Sequence, residues 1–553
     1  MQSRYAAFVL CILLAVLAAL AGAVGHWAPA WIFLAVFGAL SLLGVADLLQ
    51  TRHSIRRNYP VIGHVRWLAE SVRPEIRQYL IEADQDAAPF SRSQRSLVYQ
   101  RAKGEVGERP FGTLLDVYRD GYEFIAHSMQ PVAAADPAGF RLTIGNDQCA
   151  RPYSASVFNI SAMSFGSLSA AAIRALNKGA KLGDFAHDTG EGSISAYHRE
   201  FGGDIVWEIA SGYFGCRNDE GRFDPDRFAL QAAADQVRMI EVKLSQGAKP
   251  GHGGVLPAAK VTREIAETRG VPMGRDCISP ARHSAFSTPL ELMAFIAQLR
   301  SLSGGKPVGF KLCIGHPWEF MGIVKAMLQS GVVPDFIVVD GAEGGTGAAP
   351  TEFSDHIGTP MREGLLFVHN VLTGAGLRAQ VRIGVAGKVV SAFDIASLLA
   401  IGADWANAGR GFMFALGCVQ SLTCDTNRCP TGVATQDPLR QRALVVPDKA
   451  ERVASFHRQT LKSLSHMLAA AGLDHPEQLE PHHLVRRVSA TEIRQFSELH
   501  VFLEPGELLG DAARQGFYRT AWSRASAEHF DAAAKPSVPQ PAPAPVPAPA
   551  PMA

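Results

Sequence analysis

Net charge is almost absent from this sequence. Its 53 Lys and Arg residues are offset by 52 Asp and Glu, a formal +1 over 553 residues. Without a basic excess to neutralise phosphates, nucleic acid is excluded as the expected partner. No Gly-x-Gly-x-x-Gly turn joins a strand to a helix, so a nicotinamide-binding Rossmann domain is unsupported. Charge is missing altogether from residues 6–24 and 28–45. Each run is about as long as a helix needs to cross a ~30 Å hydrocarbon core. Only Gly25, His26 and Trp27 separate them. That short break favours a tight transmembrane hairpin over residues 1–50 rather than a cleaved signal peptide. The connecting loop has no Lys or Arg, whereas Arg4 precedes the first run and Arg52, Arg56 and Arg57 follow the second. This asymmetry puts both ends in the cytoplasm. The expected location is the inner (cytoplasmic) membrane, with the catalytic domain on the cytoplasmic side.

Cysteine is scarce, at eight residues. Cys11, Cys149, Cys216, Cys277 and Cys313 are scattered singly and read as buried structural thiols. The other three lie together. Cys418, Cys424 and Cys429 have the spacing C-x5-C-x4-C, and Pro430 follows. Soft sulfur ligands select iron–sulfur clusters or zinc. No histidine lies inside the segment to complete a tetrahedral zinc site, and a disulfide is not expected on the cytoplasmic side. Three ligands suit a three-iron cluster better than a four-iron cube. On spacing alone, ordinary buried thiols remain the alternative.

With 52 glycines, the chain favours a loop-rich α/β enzyme. Residues 51–150 read as a soluble segment packing on the catalytic domain, and 56–80 within it as a turn followed by an amphipathic helix, for which packing on the catalytic domain is the expectation and the membrane surface the alternative. Residues 151–440 alternate short apolar runs with helical patterns. The expected strands are 156–162, 185–190, 204–210, 239–244, 308–314, 335–340, 381–386 and 403–409. Eight β–α units point to a TIM barrel, with a doubly wound sheet as the alternative. Residues 441–533 read as a helical extension. Residues 534–553 alternate Pro with Ala and are expected to be a disordered tail. Glycine-rich turns recur at the expected carboxyl ends of the strands, where a barrel places its function. They suit a phosphorylated cofactor. Beside a cysteine triad, flavin mononucleotide (FMN) is the economical choice.

The stretches AMSFGSLS, TGEGS, ASGYFG, QGAKPGHGG, ISPARHS, VDGAEGGTGAAP and CDTNRCPTGVATQ occur in this order. In them the chain resembles the FMN-binding domain of glutamate synthases, and most closely a stand-alone bacterial branch of that family. The resemblance implies FMN and a [3Fe-4S] cluster on Cys418, Cys424 and Cys429. It further implies electron transfer from cluster to flavin, and reduction of 2-iminoglutarate, formed from 2-oxoglutarate and ammonia, to glutamate. Ala162, Met163 and Ser164 match the segment along the flavin ring, and Lys311 a lysine at its pyrimidine. Gly344, Gly345 and Thr346 match a turn flanking the ring. Gly387, Lys388, Gly409 and Arg410 match the phosphate turns. Glu191 and Lys249 match active-site residues, and Arg269 an arginine associated with the dicarboxylate. Two positions depart from the family. Val255 stands where glutamine is usual and His252 where glutamate is usual. Both bear on the substrate, and another oxo acid or imine is the alternative. An electron-transfer subunit of a membrane complex is a third reading. No glutaminase or nicotinamide domain is recognised, so a separate electron-donor protein and a separate ammonia source are expected.

Overall fold

A computed structural model describes residues 3–85, 88–105, 107–510 and 516–532. The Pro/Ala tail expected over 534–553 lies outside the described residues. The chain divides into two compact units, residues 1–93 and 94–553.

The first unit begins with α1 (Ala6–Ala23) and α2 (Ala30–Leu49). Both are long and apolar enough to cross a membrane. They pack closely at Gly44, where a Cβ would lie 2.2 Å from the Phe8 ring. After α2 the chain turns into α3 (Gly63–Ile76).

The second unit is built on a closed barrel of eight parallel strands in sequence order. These are β1 (Phe158–Ile160), β2 (His187–Asp188), β3 (Ile205–Ile209), β4 (Val237–Lys243), β5 (Val308–Leu312), β6 (Phe336–Asp340), β7 (Arg382–Ala386) and β8 (Trp405–Ala408). Each lies inside or within two residues of an expected strand, and β8 pairs with β1 to close the ring. Side chains alternate between lumen and helix layer. On β3, Trp207 points outward and stacks on Phe228 of the surrounding helices, with ring centroids 5.2 Å apart. At the bottom of the lumen Phe336 and Trp405 meet edge to face. Gly309 and Gly384 make room for them, because a Cβ at either would lie within 2.6 Å of an aromatic ring atom. An antiparallel hairpin of Arg141–Ile144 and Tyr153–Ser156 precedes β1.

Three helices matter for the site. They are α4 (Ala170–Gly183), which follows β1, α5 (Arg410–Leu416), which follows β8, and α6 (Val446–Ala470). Ser169 caps α4 through its hydroxyl, which accepts from the Ala172 N–H. The long helix α6 lies on α4 so closely that a Cβ on Gly179 would meet Val453 at 2.5 Å. The extension expected to be helical over 441–533 begins with this helix but is not helical throughout: Leu484–Arg487 and Ile493–Gln495 are strands that form an antiparallel sheet with Glu123–Ile125.

Candidate active site

The lumen above the aromatic floor is charged. Lys311 on β5 contacts Glu208 on β3, two strands away. Only the lumen allows that reach across β4. Lys311 Nζ also lies 3.1 Å from Glu241 on β4. Oxygens of Asp188, Glu208 and Glu241 fall within 4.8 Å of one another. Lys243 on β4 lies 3.1 Å from Glu191 and 3.7 Å from Glu208.

Two ammonium groups therefore serve five carboxyls, counting Asp340 and Glu191, in a largely buried volume. Charges that dry must be neutralised or paired. Burial pushes the Asp188 carboxyl well above its ordinary range, and Glu241 adds to the effect. Burial likewise raises Glu241 and Asp340, only partly offset by Lys311. For Glu191 burial is outweighed by Lys243 and Arg269, and its carboxyl stays ionised, below the usual value. Burial opposes the charge on Lys311, but Glu208, Glu241, Asp188 and Asp340 hold the lysine firmly protonated. The lumen thus holds a mixture of charged and protonated carboxyls around fixed cations.

The loops at the carboxyl ends of the strands close over this cluster. Ala162, Met163 and Ser164 follow β1 and lie against the turn after β2. A Cβ on Gly190, which sits at φ +62°, would fall 2.6 Å from the Ser164 nitrogen, so only glycine fits there. After β4 the chain makes a long excursion, residues 246–283, with a two-residue ladder of Val255–Leu256 against Cys277–Ile278. This excursion carries four sequence-identified residues. The Lys249 ammonium donates to the Ala348 carbonyl of the loop after β6, at 3.0 Å. Burial lowers its pKa, with Glu191 opposing. Val255 takes part in the ladder. Arg269 ends the helix Arg263–Arg269 and is 2% exposed. Its guanidinium donates to the Phe165 carbonyl at 2.9 Å and the Ser164 hydroxyl at 3.4 Å, lies 3.8 Å from Cys277 Sγ, and stacks on Phe214. Among the described residues no carboxylate lies within 4.0 Å of it, and its Nε has no partner. The charge it does feel is that of Glu191, whose carboxyl it helps to hold ionised from beyond ion-pair distance. His252 faces Phe353 and bonds the Gly253 carbonyl rather than a charged group.

Gly344, Gly345 and Thr346 lie in the loop after β6. Arg410 reaches back from α5 to the Thr346 carbonyl at 2.6 Å. A Cβ on Gly345 would meet Arg410 at 2.7 Å. Gly409 is the N-cap of α5 and supplies no side-chain cap, so the first N–H groups of this helix are free of an internal partner. Gly387 and the exposed Lys388 follow β7, with Lys388 in the left-handed region at φ +52°.

Arg410 also links this loop to the cysteine segment, since its Nη1 lies 3.6 Å from Cys424 Sγ. All three cysteines of the triad are free thiols, Cys418 and Cys429 buried and Cys424 partly so. The segment takes left-handed backbone at three non-glycine residues, Gln420, Leu422 and Asn427. Gln436 fastens it to the carbonyls of Gly166 and Leu168, both at 2.9 Å. Burial raises the Cys418 thiol. At Cys429 burial is outweighed by the Thr431 hydroxyl and the N–H groups of Ala434, Thr431 and Val433, which lower it.

Sequence reasoning identified Lys311 but missed the carboxyls around it, Glu208, Glu241, Asp188 and Asp340, and the second cation of the lumen, Lys243. The same signal was present for most of them, as ionisable residues inside IVWEI, VRMIEVK and FIVVD. It also missed Lys260. This lysine is 1% exposed and donates to the carbonyls of Ser167, Cys424 and Ala434 at 2.7, 3.1 and 3.3 Å. It ties the loop after β1 to the middle of the cysteine segment and to the stretch that follows its last cysteine, and only its three-dimensional surroundings set it apart from a surface lysine.

Residues 131–474 match a family described as the conserved region in glutamate synthase. The "glutamate synthase large subunit-like protein YerD" of Bacillus subtilis (strain 168) is 38% identical over 483 residues, covering 80% of this chain and 91% of that protein. An archaeal-type glutamate synthase [NADPH] of Thermotoga neapolitana is 35% identical, covering 58% of this chain and 60% of its own length. The glutamate synthase [NADPH] large chain of Azospirillum brasilense is 32% identical over 55% of this chain, which spans only 19% of that protein. Barrel, charged lumen and matched region coincide, and the chain belongs to the glutamate synthase family of oxidoreductases.

Proposed function

We propose that this chain is an FMN- and iron–sulfur-dependent oxidoreductase that reduces the imine of a 2-oxo acid to an amino acid, with 2-iminoglutarate as the leading substrate. The observation that carries the reading is Arg269, a buried guanidinium without a carboxylate beside Ser164. An oxo-acid carboxylate supplies the missing partner. The residues also fit the cofactors. The uncapped N-terminus of α5 and Lys388 suit a phosphate, the loops after β1 and β6 flank a flat ring, and Lys311 supplies a fixed cation at the ring. Arg410, Lys260 and the N–H groups around Cys429 offset the negative charge of three thiolates.

When bound, the flavin supplies a hydride to the imine carbon. The protein's own residues then have separate tasks. Arg269 holds a carboxylate. Lys249, made more acidic by burial, donates a proton to the imine nitrogen. Ionised Glu191 keeps Lys243 charged and the mouth oriented. Electrons come from a separate donor protein and ammonia from solution or another subunit. The apolar helices α1 and α2 anchor the enzyme in the inner membrane, with the barrel on the cytoplasmic side.

A second reading keeps the cofactors and changes the oxo acid. Val255 offers no side-chain hydrogen bond, and His252 brings no carboxylate to the mouth. Absorption and EPR spectra of the purified chain test the cofactors: one flavin and one three-iron signal per chain are expected, and a chain with neither contradicts both readings. A panel of 2-oxo acids with ammonia, added to the reduced protein, separates the two. Flavin reoxidation by 2-oxoglutarate alone supports the first, and by another acid alone the second.

A further inference from the structure

The first unit carries a surface that the proposed chemistry does not use. Along α3 and the turn after it, Val65, Leu68, Val72, Ile76 and Tyr79 recur at steps of three and four residues, so they form one stripe. All five are between 41% and 65% exposed. Arg66, Arg73 and Arg77 follow the same periodicity one flank away. Over residues 52–77 six arginines stand against two glutamates and no lysine or aspartate. An apolar stripe bordered by arginines suits a boundary between hydrocarbon and anionic headgroups.

The start of α3 is fastened to the end of the hairpin. Asp47, near the end of α2 and 4% exposed, accepts from the Val61 N–H at 3.0 Å and pairs with His64 Nε2 at 2.8 Å. A Cβ on Gly63 would meet the Arg56 backbone at 3.2 Å. Arg56 lies over the Trp67 ring, 5.2 Å from its centroid. After a short connection that includes the helix Ser54–Asn58, the start of α3 is therefore held beside the last turn of an apolar helix, which in a spanning hairpin is the depth where hydrocarbon gives way to headgroups. An apolar stripe hung on a hairpin end meets lipid before it meets anything soluble.

We infer that α3 is an interfacial helix, with Val65, Leu68, Val72 and Ile76 in the acyl boundary of an anionic bilayer and Arg66, Arg73 and Arg77 among its phosphates. This rests on the reading that α1 and α2 span the membrane. It assigns a lipid surface, rather than the barrel, as the partner of the stripe.

Photo-crosslinking of the full chain in vesicles tests it. A benzophenone amino acid replaces Leu68 in one protein and Leu17 of α1 in another. Vesicles are phosphatidylcholine with or without phosphatidylglycerol. The expected result is a lipid adduct on the peptide holding position 68, several-fold more abundant with phosphatidylglycerol, alongside a lipid adduct at position 17 in both. Arg66→Gln with Arg73→Gln brings the position 68 yield in anionic vesicles down towards that in neutral ones. A lipid adduct at 17 with a crosslink from 68 into residues 94–532, or into a second protein, overturns the inference and leaves the hairpin intact. No lipid adduct at either position overturns both.

Discussion

Single residues decide what this barrel can hold, because its lumen is largely buried and carries more carboxyls than cations. Arg269 is the clearest case, since no carboxylate among the described residues lies within 4.0 Å of it and Glu191 acts on it only from farther away. Arg269→Gln is expected to raise KM for the oxo acid about 10- to 100-fold, the worth of one charged hydrogen bond, with a smaller change in kcat. Steady-state kinetics over a range of oxo acid read this directly. An unchanged KM removes the carboxylate role. Lys311 shows the opposite situation, a cation shared by Glu208 and Glu241. Lys311→Met leaves that cluster without its central charge and is expected to cost about 3–5 kcal/mol of stability. Adding Glu208→Gln recovers part of it, and urea unfolding of the full chain measures both. Lys311 was legible because an ionisable residue in an apolar strand needs a reason. Its carboxyl partners sat in the same kind of context, but which strands face each other across a lumen is a property of closure. Lys260 was not legible at all, since its partners are backbone carbonyls of two segments far from it in sequence, the loop after β1 and the cysteine segment.

Among elements, the strands were legible and the excursions were not. Runs such as FIVVD carry a strand by β-branched content alone, and each βα unit repeats the pattern. The second strand was weakly marked because it is two residues long, too short for any periodicity. The excursion after β4 was read as a glycine-rich loop. Its ladder of Val255–Leu256 on Cys277–Ile278 is equally short, yet it positions Lys249, His252, Val255 and Arg269 together. Gly254 sets how near this excursion comes to the second loop. A Cβ there would lie 1.9 Å from Glu191 Oε1. Gly254→Ala is therefore expected to displace Glu191 from Lys243 and to lower kcat/KM by at least about tenfold, while the barrel still folds. Circular dichroism with a single-turnover assay checks both parts. Full activity in that variant would mean the Glu191–Lys243 pair has no part in the chemistry.

The whole molecule combines two long apolar helices with a barrel unit whose buried histidines resist titration. His187, His283 and His457 are buried and held neutral, with pKa values brought down by burial to about 3, about 4 and about 3. A folded value below the unfolded one means that unfolding takes up protons. The stability these groups contribute is complete above about pH 6.5 and is lost as pH falls towards 4. Each adds up to ~1.4 kcal/mol per pH unit to that loss. Denaturant titrations between pH 7 and 4.5 should show the barrel weakening steadily, and His283→Gln should flatten the slope. A slope unchanged by that substitution would count against the neutral, buried state of His283. The central claim, imine reduction at the barrel mouth, is tested most directly by one single-turnover experiment. The full chain is reduced without oxygen and mixed with 2-oxoglutarate and ¹⁵N-ammonium, while flavin absorbance and products are followed together. The account predicts flavin reoxidation with one ¹⁵N-glutamate formed per flavin. A flavin that stays reduced with 2-oxoglutarate and with every other oxo acid plus ammonia would contradict it.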